Sequence, residues 1–286
     1  MGQELREDDA GAGGQLGREM IRAVEGTSHR YFFTTRQDLD IADTEAVRAM
    51  VQDNGIDLIV NCAAYTDVNR AESDRETADL MNHVAVGGMA SVMKERGGTL
   101  VHISTDYVFD GNACVPYRET DPTCPVSVYG ETKLKGEQAI IDSGCNYLIF
   151  RTSWLYSEWG KNFVKTMLGL FATKDRVNVV FDQVGTPTYA GDLAAAVAYV
   201  IESGQTGKSG IYHYSNEGVC SWYDFAKRIC ELSGNVCEIS PCHSDEFPSP
   251  VARPHYSVMD KTLVKTVFGL KIPHWNDSLE VCLEKI

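Results

Sequence analysis

Apolar positions recur three and four apart over residues 15–25, placing Leu16, Met20, Ile21 and Val24 on one side of a helix. Tyr31-Phe32-Phe33-Thr34 then reads as a short strand, and residues 44–53 as a second helix opened by Asp43 as its cap. Asp57-Leu58-Ile59-Val60-Asn61 reads as a buried strand, residues 75–96 as a long helix, and Thr99-Leu100-Val101-His102-Ile103 as another strand. Residues 128–142 form a helix pattern, and Tyr147-Leu148-Ile149-Phe150 is strand-like. Helix and strand alternate as they do in parallel βαβ units. Beyond about residue 151 the pattern loosens, with turns at Gly185-Thr186-Pro187 and a proline-rich stretch at Phe247-Pro248-Ser249-Pro250. The expected fold is α/β: a Rossmann-type doubly wound parallel sheet with a smaller C-terminal lobe. Residues 1–150 would be the first unit. Residues 151–286 would mainly form a substrate-binding lobe over the strand ends, with some segments returning to the first unit.

Gly11, Gly14 and Gly17 stand at GxxGxxG spacing directly before the first helix. Glycines there let the backbone turn tightly and approach a pyrophosphate, whose charge then sits at the helix N-terminus. Such a loop ordinarily follows an apolar strand. Residues 1–10, with Glu4, Glu7, Asp8 and Asp9, carry no apolar run. They read as a tag or altered start in place of a strand, the alternative being a genuine acidic tail. After the second strand, NAD-specific folds present an acidic residue to the ribose 2′-hydroxyl. This chain has Thr34-Thr35-Arg36 instead, and Arg36 would pair with a 2′-phosphate. NADPH is the expected cofactor, with NADH kept open by Asp38 and Asp40. Asn61-Cys62-Ala63-Ala64-Tyr65-Thr66 supplies small residues that would let a strand end pass beneath the cofactor.

At 286 residues, 43% hydrophobic and 23% charged, the chain has the make-up of an ordinary globular protein. A net charge of −14 argues against nucleic acid or anionic membranes as general partners, though not against a small anionic substrate. Nine cysteines include no CxxC pair, and Cys237, Cys242 and His243 have poor metal spacing, so no metal is expected. An odd number of thiols fits a reducing cytoplasm, and no apolar run is long enough to span a bilayer.

Tyr129 and Lys133 lie four apart, on one face of a helix. An ammonium near a phenol stabilises the phenolate and lets the tyrosine exchange a proton near neutral pH. The pair follows Ser104-Thr105-Asp106 at the C-terminal end of a strand, where hydroxyls would bind the same carbonyl oxygen that Tyr129 protonates. Glycine loop, strand-end Ser/Thr and YxxxK in this order form a more specific combination than any one of them.

The blocks Ser104-Thr105-Asp106-Tyr107-Val108-Phe109-Asp110-Gly111, Tyr129-Gly130-Glu131-Thr132-Lys133-Leu134 and Arg151-Thr152-Ser153-Trp154 resemble the dTDP-4-dehydrorhamnose reductase family of extended short-chain reductases. Asp182-Gln183-Val184-Gly185-Thr186-Pro187-Thr188 and Arg253-Pro254-His255 extend the resemblance, which runs from about Gly11 to the C-terminus. It implies hydride transfer from a nicotinamide to C4 of a dTDP-linked 4-keto-6-deoxy sugar, giving dTDP-L-rhamnose. Tyr129 would then be the proton donor, Lys133 would lower its pKa and hold the nicotinamide ribose, and Thr105 would hydrogen-bond the carbonyl, with Ser104 as a substitute. Asp106 and Trp154 would contact the sugar, and Arg253 the diphosphate. Gly14, Gln15 and Leu16 would cradle the pyrophosphate, Asp40 and Ile41 would flank the adenine, and Ala63, Ala64 and Tyr65 would line the cofactor. Some family members are magnesium-bridged dimers. Glu19 falls where one such carboxylate would lie, but Gly191-Asp192 supplies no clear partner, so a monomer or homodimer without metal is expected. In Ser221-Trp222-Tyr223-Asp224-Phe225, Trp222 and Phe225 read as core packing.

Two other readings stay open on the sequence. An epimerase or dehydratase of a nucleotide sugar keeps the same loop and YxxxK but adds a carboxylate, which Asp106 would supply. The regulatory β-subunit of methionine adenosyltransferase resembles the same family and acts as a binding partner, although that role does not require Thr105, Tyr129 and Lys133 together.

Overall fold

A computed structural model describes residues 11–247 and 249–286. The expectations about residues 1–10 therefore lie outside the described residues. Among the described residues the central sheet has four parallel strands in the spatial order Leu58–Asn61, Thr99–Thr105, Asn146–Thr152, Gly210–His213. Their side chains alternate between faces, so Val101 and Leu148 join one apolar cluster while Leu100 and Ile149 join another. The first cluster is closed by Leu16 and Met20 of helix Gln15–Ala23 and Leu193 and Val197 of helix Ala190–Glu202. The second is closed by Val47 and Val51 of helix Thr44–Asn54, Met89 and Met93 of helix Ala85–Arg96, and Ile140 of helix Val128–Ser143. Helices on both faces explain why these strands are apolar runs and not alternating patterns. Each fully buried aliphatic side chain contributes about 1.5–3 kcal/mol.

Local signals account for most boundaries. Asp43 Oδ1 accepts from the Glu45 and Ala46 N–H groups, opening the second helix as its sequence predicts. The 75–96 pattern is helical throughout but contains a π turn at Leu80–Val84, with Asn82 fully buried.

Tyr31–Thr34 departs from expectation: among the described residues the segment has no strand pairing. Ala12 N–H donates to Thr34 O at 3.1 Å, and a single antiparallel bridge joins Gly11 to Thr35. That neighbour is already turning, with Gly11 at φ +72°, and one bridge cannot build a ladder.

After Thr152 a third cluster gathers Val164, Phe225, Ile229, Trp275 and Leu279. Short pairings surround it: Arg176–Val180 with Glu238–Cys242, Leu155–Tyr156 with Thr188–Tyr189, and Val184–Gly185 with Cys220–Ser221. The Gly210–His213 strand and the Ala190–Glu202 helix come from this half of the chain yet pack on the central sheet. No helix among the described residues is long and apolar enough to cross a membrane.

Candidate active site

The glycine loop is built for close approach. A Cβ on Gly17 would stand 2.0 Å from Gly11 O, so helix Gln15–Ala23 rests directly on the turn that precedes it. Gly14 caps that helix without a side-chain acceptor, leaving its first-turn N–H groups to an anion. Gly11, Gly17, Arg36, Asp40, Ile41 and Ala63 share the wall of one 620 Å³ cavity. Gly14, Gln15, Leu16, Ala64 and Tyr65 lie outside that wall, as do Thr105, Tyr129 and Lys133. Gln15 Oε1 instead accepts from Ser157 Oγ at 3.0 Å and Asn162 Nδ2 at 2.9 Å, tying the loop to the second half of the chain.

The acidic neighbours of Arg36 are occupied locally. Asp38 Oδ2 accepts from Thr35 N–H at 2.8 Å and Thr35 Oγ1 at 2.7 Å, and Asp40 Oδ1 accepts from Ala42 N–H at 3.0 Å. Both carboxylates serve turns, while Arg36 is exposed beside the cavity.

The reactive groups meet where strand Thr99–Thr105 runs into helix Val128–Ser143. Adjacent strand residues face opposite ways, and that separates two candidates. The Thr105 side chain lies beside the Tyr129 phenol and opposes the rise in its pKa. Ser104 Oγ donates to Glu137 Oε1 at 2.5 Å, inside a buried pair in which Arg151 donates to the same carboxylate at 2.9 and 2.7 Å. Ser104 is therefore turned away from the site and cannot stand in for Thr105.

Burial holds the Tyr129 phenol above its ordinary value. Lys133 is 1% exposed, and its Nζ donates to Ile103 O at 2.6 Å and lies 3.3 Å from His102 Nε2. Burial brings its pKa down to about 8. Asp106 accepts from Thr105 Oγ1 at 3.0 Å, while its Oδ2 is buried without a partner; burial raises this carboxyl to about 6.

Arg253 comes to the same place from far along the chain. It donates to Tyr107 Oη at 3.1 Å and Asn69 Oδ1 at 2.7 Å, and the Tyr107 ring meets Tyr129 edge-on at 5.4 Å. Trp154 has φ +50°, the only positive value at a non-glycine among the described residues, and stacks on Trp222 at 3.5 Å. A Cβ on Gly185 would stand 2.7 Å from the Trp154 ring, so that glycine makes room for the indole. Phe225 is core, as expected; Trp222 is half-buried and packs on a predicted substrate residue. Glu19 accepts from Arg22 at 3.1 Å and Trp159 Nε1 at 2.8 Å.

Three polar residues escaped the sequence reading. Asn61 accepts from Ala63 N–H at 3.0 Å and contacts His102 Nδ1 at 3.1 Å. Asn82 bridges Tyr65, at 2.9 and 3.0 Å, to Thr132 Oγ1 on the Tyr129 helix at 3.2 Å. The strand pattern hid Asn61 and His102, and the helix pattern hid Asn82; polar residues at apolar positions were the available signal.

Residues 10–286 match the family model described as the RmlD substrate binding domain. A dTDP-4-dehydrorhamnose reductase of Burkholderia thailandensis is 38% identical over 290 residues, covering 96% of this chain and 97% of the relative. The structure of a dTDP-4-dehydrorhamnose reductase from Clostridium acetobutylicum is similar at a TM-score of 0.92 and 40% identity, covering 96% and 97% of the two chains. A Bacillus anthracis dTDP-4-dehydrorhamnose reductase in complex with NADP has a TM-score of 0.92 at 36% identity, with the same coverage.

Proposed function

The chain belongs to the family of the RmlD substrate binding domain, and from that premise we propose that it is a dTDP-4-dehydrorhamnose reductase. It reduces dTDP-4-dehydro-L-rhamnose to dTDP-L-rhamnose with NADPH or NADH, the last step of dTDP-rhamnose biosynthesis. The single observation that carries the reading is the Thr105 hydroxyl beside the Tyr129 phenol at the end of a central strand, next to Asp106 and with Lys133 one helical turn on. A ketone oxygen placed between the two hydroxyls would receive both as the C4 carbon takes the hydride. Tyr129 gives its proton to the forming alkoxide, and Thr105 orients the carbonyl.

When bound, the nicotinamide cofactor supplies the hydride; the residues present fit its phosphates and ribose. The N-terminus of helix Gln15–Ala23 takes the pyrophosphate, and Arg36 takes a 2′-phosphate. The engagement of Asp38 and Asp40 in local turns supports NADPH over NADH. Trp154 and Asp106 contact the sugar, and Arg253 the diphosphate. Nine free thiols support a cytoplasmic setting.

The test is NADPH oxidation with dTDP-4-dehydro-L-rhamnose generated in situ. Substrate-dependent and stoichiometric cofactor loss is the expected result. Recycling of the cofactor without net loss would move the protein to an epimerase or dehydratase, and binding of the sugar nucleotide without turnover would remove the reductase reading.

A further inference from the structure

We propose that Asn61 and His102 form a buried hydrogen-bond relay that donates to Nζ of Lys133, making this lysine a proton-exchanging amine and not a fixed cation. Ala63 lies two residues past the end of strand Leu58–Asn61. Asn61 Oδ1 receives the Ala63 N–H at 3.0 Å, and that bond fixes the orientation of the amide. With the oxygen committed there, Nδ2 faces Nδ1 of His102 at 3.1 Å. An amide NH2 only donates, so Nδ1 accepts and carries no proton. His102 is fully buried, and burial together with Lys133 pushes its pKa well below the ordinary value, so the ring is neutral. Its one proton is therefore on Nε2, directed at Lys133 Nζ 3.3 Å away.

A neutral amine receives that N–H on its lone pair and still donates to Ile103 O at 2.6 Å. An ammonium has no lone pair. The row has donor-only groups at both ends when Lys133 is charged, the Ala63 N–H and the ammonium. Between them the amide and the imidazole each pass on one donor and one acceptor. Any arrangement then leaves one donor–donor contact, and losing a proton from Lys133 removes it.

The other charged groups around this helix do not undo the effect. Glu137, one turn on, favours the ammonium, but its carboxylate is engaged by Arg151 and Ser104. Asp106 and Tyr107 act on Tyr129, Glu72 accepts from the Val128 N–H, and Asp79 pairs with Lys135 at the surface. Burial outweighs Glu137 and brings Lys133 to about 8.

In turnover, Tyr129 loses its proton to the alkoxide and becomes phenolate. A Lys133 ammonium, one helical turn on, favours that phenolate by its charge, and the amine left when its proton goes to solvent accepts the His102 N–H. This last consequence rests on the reductase reading; the relay itself does not.

The experiment is an NMR pH titration of the full chain carrying isotope-labelled lysine, with the Lys133 signal assigned by its loss in Lys133→Met. Burial opposed by Glu137 already brings Lys133 to about 8, so the relay puts the wild-type midpoint below that value. In His102→Leu it should rise by about one unit or more, a tenfold gain in proton affinity. Asn61→Asp should raise it too, because a carboxylate accepts from both Ala63 and His102 Nδ1 and turns Nε2 into an acceptor for the ammonium. His102→Gln passes the same polarity along and should leave the midpoint within about half a unit of wild type. An unchanged midpoint in His102→Leu, or a rise in Asn61→Asp alone, would overturn the relay. If His102→Leu does not fold, a rise in both Asn61→Asp and His102→Gln overturns it, and a rise in Asn61→Asp without one in His102→Gln supports it. Because titration is the readout, the relay can fail while reduction is found, and the reverse.

Discussion

Tyr129 and Asp106 are held in their protonated forms by the same physical force. Burial disfavours charge on either, which keeps the phenol a proton donor and lets the carboxyl remain protonated up to about 6. Tyr129→Phe removes the donor while keeping the ring packed against Tyr107. Turnover should fall by at least about a hundredfold with cofactor affinity unchanged, as read by single-turnover kinetics and a fluorescence titration. Wild-type rates in that variant would end its assignment. For Asp106 the sign is fixed by which state holds the proton. Between the ordinary 3.8 and the folded value near 6, the native chain binds a proton that the unfolded chain has lost, so stability falls as pH rises through that window. Asp106→Asn abolishes the loss. Its unfolding free energy relative to wild type should increase by about 2.5 kcal/mol between pH 4 and pH 8, measured by urea denaturation. A difference that stays flat across those pH values would show that Asp106 ionises freely.

Between elements, the most consequential contact is the pair formed by Glu137 on helix Val128–Ser143 and Arg151 on strand Asn146–Thr152. Both are buried, and Ser104 from the neighbouring strand closes the group. One helix and two strands are thus pinned just below the end of the sheet, one turn from Lys133. The pair is costly to break, since either charge alone would be stranded in the interior. Arg151→Met should destabilise the fold by about 3–5 kcal/mol, seen as an earlier denaturant midpoint, whereas Arg151→Met combined with Glu137→Leu should recover much of that loss. The π turn at Leu80–Val84 works at the same scale, bringing the fully buried Asn82 against both the Tyr65 loop and the Tyr129 helix.

At the scale of the molecule, the site depends on residues that the chain brings together from distant positions. Arg253 reaches Tyr107 and Asn69 across separations of 146 and 184 residues, and Gln15 reaches Ser157 and Asn162. The protein carries a net charge of −14, so an anionic nucleotide sugar has to be met by a local cation. Arg253→Ala should raise KM for the sugar nucleotide by about tenfold or more, while KM for NADPH moves little. Equal weakening of both would place the arginine in support of the whole cleft and not at the diphosphate.

The parallel α/β architecture was legible because its strands are apolar runs flanked by amphipathic helices, a pattern set by burial on both faces. The glycine loop, Thr105, Tyr129 and Lys133 were legible because each is a local requirement: a backbone turn, a strand end, a helical repeat of four. Tyr31–Thr34 misled because apolar content records burial, whereas a strand also needs a neighbour to pair with. Ser104 and Thr105 look interchangeable along the chain, and only the strand's facing decided that one joins Glu137 and the other Tyr129. Asn61 and His102 sit on adjacent strands in direct register. Which nitrogen of that histidine carries a proton is a matter of contacts between strand, loop and helix. Sequence determined the elements and the residue types at the site; tertiary structure alone decided how those side chains share their protons, because hydrogen bonds depend on distances that linear order does not contain.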